Sequence, residues 1–116
     1  MNPTPRFIQG TYSFTGRGLG NPQPLHDAAR FVVAPDKRAQ LVYMRGGNSS
    51  DALVNLVLTR NGKPMRHFPI GAKASLHVPL TVVEDIFPES KLEVLVAAPE
   101  GASGIIVVDF GLLEID

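Results

Sequence analysis

Leu53-Val54-Asn55-Leu56-Val57-Leu58-Thr59-Arg60-Asn61-Gly62-Lys63-Pro64-Met65-Arg66-His67-Phe68-Pro69-Ile70 is the stretch on which the fold of this chain turns. Asn-Gly is the pair best able to take two successive positive φ angles, as a type I′ turn requires, and the twist of that turn suits two antiparallel strands. Strands are therefore predicted near 52–60 and 63–70, with Asn61 and Gly62 between them. The returning strand contains Pro64 and Pro69. Neither can donate to a ladder, which places that strand at the edge of a sheet.

The same punctuation runs outward through the chain. Ten prolines and eleven glycines are spread over 116 residues, and they cut it into runs of about five to nine residues, a strand length. Phe7 to Phe14 alternates as a half-buried strand does, and Thr15 to Pro24, with three glycines and two prolines, is a loop. Arg30–Ala34 and Ala39–Arg45 flank Pro35-Asp36-Lys37-Arg38 and are predicted to form a hairpin. Lys73–Val78, Lys91–Ala97 and Gly104–Glu114 complete the strands.

One segment allows a helix. Thr81 and Glu84 have the spacing of a capping box and Pro88 would end the turn, while Val82 and Val83 count against it. The expected fold is all-β: a two-layer β-sandwich or jelly roll of about eight strands, with room for one short helix over 81–87. It forms a single domain over 1–116, with residues 1–6 flexible.

Eleven basic residues balance eleven acidic ones, so no net field draws the chain to nucleic acid or to an anionic membrane, and neither is an expected partner. There is no cysteine, which removes disulfides, thiolate metal sites and cysteine nucleophiles. No run approaches the roughly 18 apolar residues of a membrane span, and the N-terminal residues lack a signal-peptide core, so a cytoplasmic location is expected.

Motifs with chemical meaning are few. Gly16-Arg17-Gly18-Leu19-Gly20 resembles part of a phosphate-cradling loop, but Asn21-Pro22-Gln23-Pro24 follows where a helix would have to start, so it is taken as a flexible surface loop. His26, His67 and His77 are the weak candidates for a metal site; nothing in their spacing supports one, and no metal or other cofactor is expected. Ser49, Ser50 and Asp51 form a polar cluster of the kind turns use, and Glu84 with Asp85 and Glu114 with Asp116 suggest cap and terminal charges. Without Trp, an aromatic platform for sugar rings would fall to Tyr12 and Tyr43; Phe7, Phe14, Phe31 and Phe110 belong to apolar strands and are expected in the core.

The most telling pattern is apolarity on both faces of Leu53–Leu58 and of Ile105–Leu113. A strand with core on one side and water on the other should alternate. These need a second cover, and a subunit interface formed by Ile106, Val108, Phe110 and Leu112 is the expected one, with a helix from 81–87 as its competitor. The leading functional expectation is a non-catalytic interaction or assembly module, acting as a homo-oligomer or as a subunit of a larger complex. The alternatives are a cupin-like or jelly-roll enzyme or small-ligand binder with a histidine metal site, and a carbohydrate-binding domain.

Overall fold

In the computed structural model, which describes residues 3–116, the chain runs through ten strands: β1 (Thr4–Thr15), β2 (Gln23–Pro24), β3 (Arg30–Val32), β4 (Arg38–Asn48), β5 (Val54–Arg60), β6 (Lys63–Ile70), β7 (Ser75–Pro79), β8 (Asp85–Ile86), β9 (Lys91–Ala97) and β10 (Ser103–Ile115). All pairings are antiparallel. One sheet has the order β1-β10-β4-β7 and the other β2-β9-β5-β6. β7 and β8 share one edge of β4, along Tyr43–Gly47 and Ala39–Gln40 respectively. β2 and β3 likewise share one edge of β9. With each split edge taken as one strand, eight positions remain in two four-stranded layers, the connectivity of a jelly roll.

The hairpin at the centre of the sequence forms as its residues require. Asn61 has φ 52° and Gly62 φ 82°, and Arg60 pairs with Lys63 across the turn. β6, with its two prolines, lies at the edge of the second sheet. Its register shifts opposite Leu58 and Thr59, where Arg66 and Pro64 pair; the bulge accommodates a residue that has no N–H to give.

The inner faces of the two sheets make one core. β10 supplies Ile106, Val108, Phe110 and Leu112, β5 supplies Val54, Leu56 and Leu58, and β9 supplies Leu92, Val94 and Val96. Phe68 of the second sheet meets Phe110 of the first edge to face, with ring centroids 5.5 Å apart, a favoured aromatic geometry.

Six expectations are corrected. Arg30–Ala34 and Ala39–Arg45 are not a hairpin, because β3 belongs to the second sheet and β4 to the first. The segment between them crosses the end of the sandwich, where the Val33 N–H donates to the Ser90 carbonyl at 3.0 Å and the Ala34 N–H to Glu114 Oε2 at 3.0 Å. No helix forms over 81–87, nor anywhere among the described residues. There Ile86 inserts into the core and Asp85 pairs with β4, while Glu84 goes to Arg66 instead of a helix start. Val82 and Phe87 are left outside the core, 70% and 67% exposed.

Residues 4–6, expected to be flexible, begin β1 and pair with Leu112–Glu114; the expectation for residues 1 and 2 lies outside the described residues. The loop after β1 is likewise tied down, its Gly16 and Gly18 N–H groups donating to the Ala102 and Ala98 carbonyls at 2.6 and 2.7 Å. The fifth correction concerns the doubly apolar strand. Ile106, Val108, Phe110 and Leu112, expected at a subunit interface, are at most 1% exposed and face the second sheet. The outward set is Ile105 and Val107 with their neighbours, 46% and 49% exposed. Phe7 also leaves the core, at 51%.

Candidate interaction face on the first sheet

The outward residues of the first sheet stand in rows set by strand register. Phe7, Gly111, Tyr43 and Pro79 make one row, Gln9, Asp109, Arg45 and His77 the next, and Thr11, Val107, Gly47 and Ser75 a third. In the first row the Tyr43 ring lies across Gly111: a Cβ added there would fall 1.9 Å from a ring carbon. That missing side chain lets the tyrosine hydroxyl reach into the second row.

Asp109 is the hub of that row. Its carboxylate accepts from Gln9 Nε2 at 3.0 Å, the Tyr43 hydroxyl at 3.0 Å and Arg45 Nε and Nη2 at 3.2 and 2.7 Å. Desolvation works against its charged form, yet these donors outweigh it and hold the carboxyl below the usual aspartate range. Desolvation and the adjacent carboxylate push the Tyr43 phenol up. Arg45 also lies over the Tyr43 ring, 5.5 Å from its centroid, a cation–π distance. The two charges of the cluster, Asp109 and Arg45, are matched to each other.

Beyond this polar row the face turns apolar. A groove of about 460 Å³ runs past Val107, with Ser75 and His77 on its far wall and Arg45 and Asp109 at one end. Gly47 leaves its floor open, since a Cβ there would meet nothing nearer than Val107 at 3.9 Å. A second hollow of about 390 Å³ continues the groove past Ile105 to Lys73. Among the described residues nothing covers Ile105 or Val107.

The other candidates do not gather. His26 stacks on Tyr12 with centroids 4.7 Å apart, His77 lies on the outer face of the first sheet, and His67 lies on the second sheet with Nδ1 3.1 Å from Asn55 Nδ2. Among the described residues no three His, Cys, Asp or Glu side chains are grouped as metal ligands would be. Tyr12 packs against the core while Tyr43 lies on the opposite face, so they form no common platform. Ser50 is buried, bonded to Asn48 at the end of β4, and serves the fold.

Glu114 is the residue that the sequence concealed most completely. It is buried, and its carboxylate accepts Arg6 Nε at 3.0 Å and the Ala34 N–H at 3.0 Å. Burial raises its pKa, but these donors prevail and keep it below the ordinary glutamate value.

No protein-family model and no characterised protein matches the sequence. Among solved structures the chain is similar to a chain from a structure of infectious bursal disease virus, Gx strain, with 11% identity and a TM-score of 0.53, over 99% of this chain and 33% of the viral one. A chain from the Gt strain aligns with 11% identity and a TM-score of 0.50, over 97% and 32%. The likeness is one of fold. The chain spans about a third of the length of the viral chains it matches. No helix among the described residues is long and apolar enough to cross a membrane.

Proposed function

We propose that this chain is a non-catalytic assembly module that works as a homo-oligomer, with the outer face of its first sheet buried against another copy. The observation that carries this reading is the pair Ile105 and Val107, 46% and 49% exposed beside an open groove on a sheet whose other face is core. Contiguous apolar surface of this kind on a soluble domain marks a contact site. Isologous burial of the same face on two copies is the economical cover. The fold likeness to chains of a virus is in keeping with assembly, although jelly rolls also occur in lectins and cupins and carry no function by themselves.

Light scattering at micromolar concentration tests the reading: a mass above one chain is expected. Val107→Asp should lower that mass by breaking the face contact while leaving the circular dichroism and melting temperature close to those of the parent, because Val107 points away from the core. A single-chain mass for the unaltered protein refutes the proposal.

A further inference from the structure

The two sheets of a jelly roll end in four edges, and here three of them are blunted. β6 carries Lys63, Pro64, Pro69 and a bulge. The β7/β8 edge is broken into five and two residues and ends β7 at Pro79. The β2/β3 edge has pieces of two and three residues, with Pro24 in the first. These are the usual devices that stop a sheet from recruiting another strand. β1 has almost none of them: it runs for 12 residues, pairs with β10 without any register shift, and from Phe7 to Thr15 has neither proline nor charge.

The direction of its free backbone groups follows from the register. Across β10, the Ser49 N–H donates to the Ile105 carbonyl at 3.0 Å, so the odd-numbered residues of β10 bond to β4 and the even-numbered ones to β1, since the groups alternate along a strand. Even residues of β1 pair with even residues of β10, such as Gly10 with Val108 and Tyr12 with Ile106. The Gly16 N–H, on the Ala102 carbonyl at 2.6 Å, continues that series. Phe7, Gln9, Thr11 and Ser13 therefore turn their N–H and C=O groups to the free edge, and all four are exposed. Among the described residues only β10 pairs with β1.

We infer that β1 pairs antiparallel with β1 of a second copy, joining the two first sheets into one continuous sheet; this rests on the self-association reading above and adds to its face contact a second, edge-to-edge one. A two-fold axis at Gly10 sets Phe7 opposite Ser13 of the other copy and Gln9 opposite Thr11, which gives about eight backbone hydrogen bonds. The Gln9 carbonyl already accepts the Tyr12 hydroxyl at 3.2 Å and has a second lone pair for the new partner. The register also answers the exposed aromatic ring. Phe7 of one copy comes to lie over the small Ser13 of the other, and beyond Ser13 in the same row stands exposed Ile105. Arg6, the one charge on β1, falls opposite Phe14 and not opposite itself, so no like charges meet.

The test is Thr11→Pro, with Thr11→Ala beside it. Proline at position 11 removes an N–H that faces away from β10, a change an edge strand tolerates in the folded chain. It should raise the dissociation constant of the edge contact by about tenfold or more, and so lower the mass in solution, while the fold is kept, and alanine, which retains the N–H, should not. Amide exchange on the unaltered protein gives an independent readout. The N–H groups of Gln9, Thr11 and Ser13 should exchange more slowly in concentrated than in dilute solution, whatever the folding of the proline variant. An oligomer whose mass survives Thr11→Pro overturns the edge pairing and leaves self-association standing, and equal exchange of those amides at both concentrations does the same. A single-chain mass for the unaltered protein overturns both.

Discussion

Asn48→Ala should cost far more stability than a turn residue ordinarily would. Asn48 ends β4, is buried, and its side-chain Nδ2 lies 2.8 Å from the Ala52 carbonyl, 3.1 Å from that of Gly71 and 3.2 Å from that of Ile70. Its Oδ1 accepts the Ser50 N–H at 2.9 Å and the Ser50 hydroxyl at 2.8 Å. One amide thus ties the last residue of a first-sheet strand to the entry of β5 and the exit of β6 in the second sheet. Alanine would strand the Ser50 N–H and the Ile70 carbonyl out of reach of water, at about 1–3 kcal/mol for each buried group left without a partner. The Ala52 and Gly71 carbonyls are partly open to solvent and add less. A total of about 2–4 kcal/mol is expected, corresponding to a melting temperature lower by roughly 8–15 °C for a domain of this size. Urea unfolding followed by circular dichroism, at one fixed protein concentration because association would otherwise shift the midpoint, measures it directly. Asn48→Asp should be at least as damaging, since it keeps the acceptor but sets a negative charge against three carbonyls. Ser49→Ala, which removes one exposed bond to the Ile105 N–H, should cost under about 1 kcal/mol. If Asn48→Ala is as mild as Ser49→Ala, the amide is not the tie between the sheets that its geometry implies.

Gly62→Val should destabilise the chain by roughly 1–2 kcal/mol, entirely through the backbone, because φ is 82° and a Cβ there meets nothing within 4 Å; an unchanged midpoint in the same urea titration would contradict this. Acid should unfold the protein through Glu114 and Asp109. Both carboxyls titrate lower in the folded chain than when free, so the unfolded state binds more protons on the way down. The stability they contribute is complete above about pH 5, clear of the ordinary carboxylate range, and is lost as pH falls through their depressed folded values. Melting temperature measured against pH should be level above that range and fall steeply below it, and Glu114→Gln should flatten the fall; a fall of the same steepness in the variant would show that Glu114 takes no part.

What could be read from the sequence was the part governed by neighbours along the chain. Asn61-Gly62 specifies its turn because two backbone angles decide it, and Pro64 and Pro69 specify an edge because a missing N–H excludes the interior. Arg30–Ala34 and Ala39–Arg45 were misread because a short polar connection with proline serves equally for a hairpin and for a crossing between layers. Only the partners of Val33 and Ala34, which are Ser90 and Glu114, tell the two apart, and both lie more than fifty residues away. The segment 81–87 failed for a related reason: capping spacing is a local signal, and the pull of Ile86 into the core is not.

The phase of β10 was beyond reach for a sharper reason. Its even and odd positions are both apolar, so only the two acidic residues could have said which side faces water, and they disagree: Asp109 is odd and Glu114 even. Reading Glu114 as a solvated terminal charge puts the even set outside, the opposite of the structure. Glu114 can lie inward because Arg6, at the far end of the chain, and the Ala34 N–H both reach it, and an ion with such partners tolerates burial. Asp109 faces out, but on a side that gathers Gln9, Tyr43 and Arg45 around it. One strand therefore holds a satisfied carboxylate on each face, and the outer one stands beside uncovered Val107. The apolar surplus that suggested a partner is present after all, one residue out of phase with the set Ile106, Val108, Phe110 and Leu112 expected to carry it.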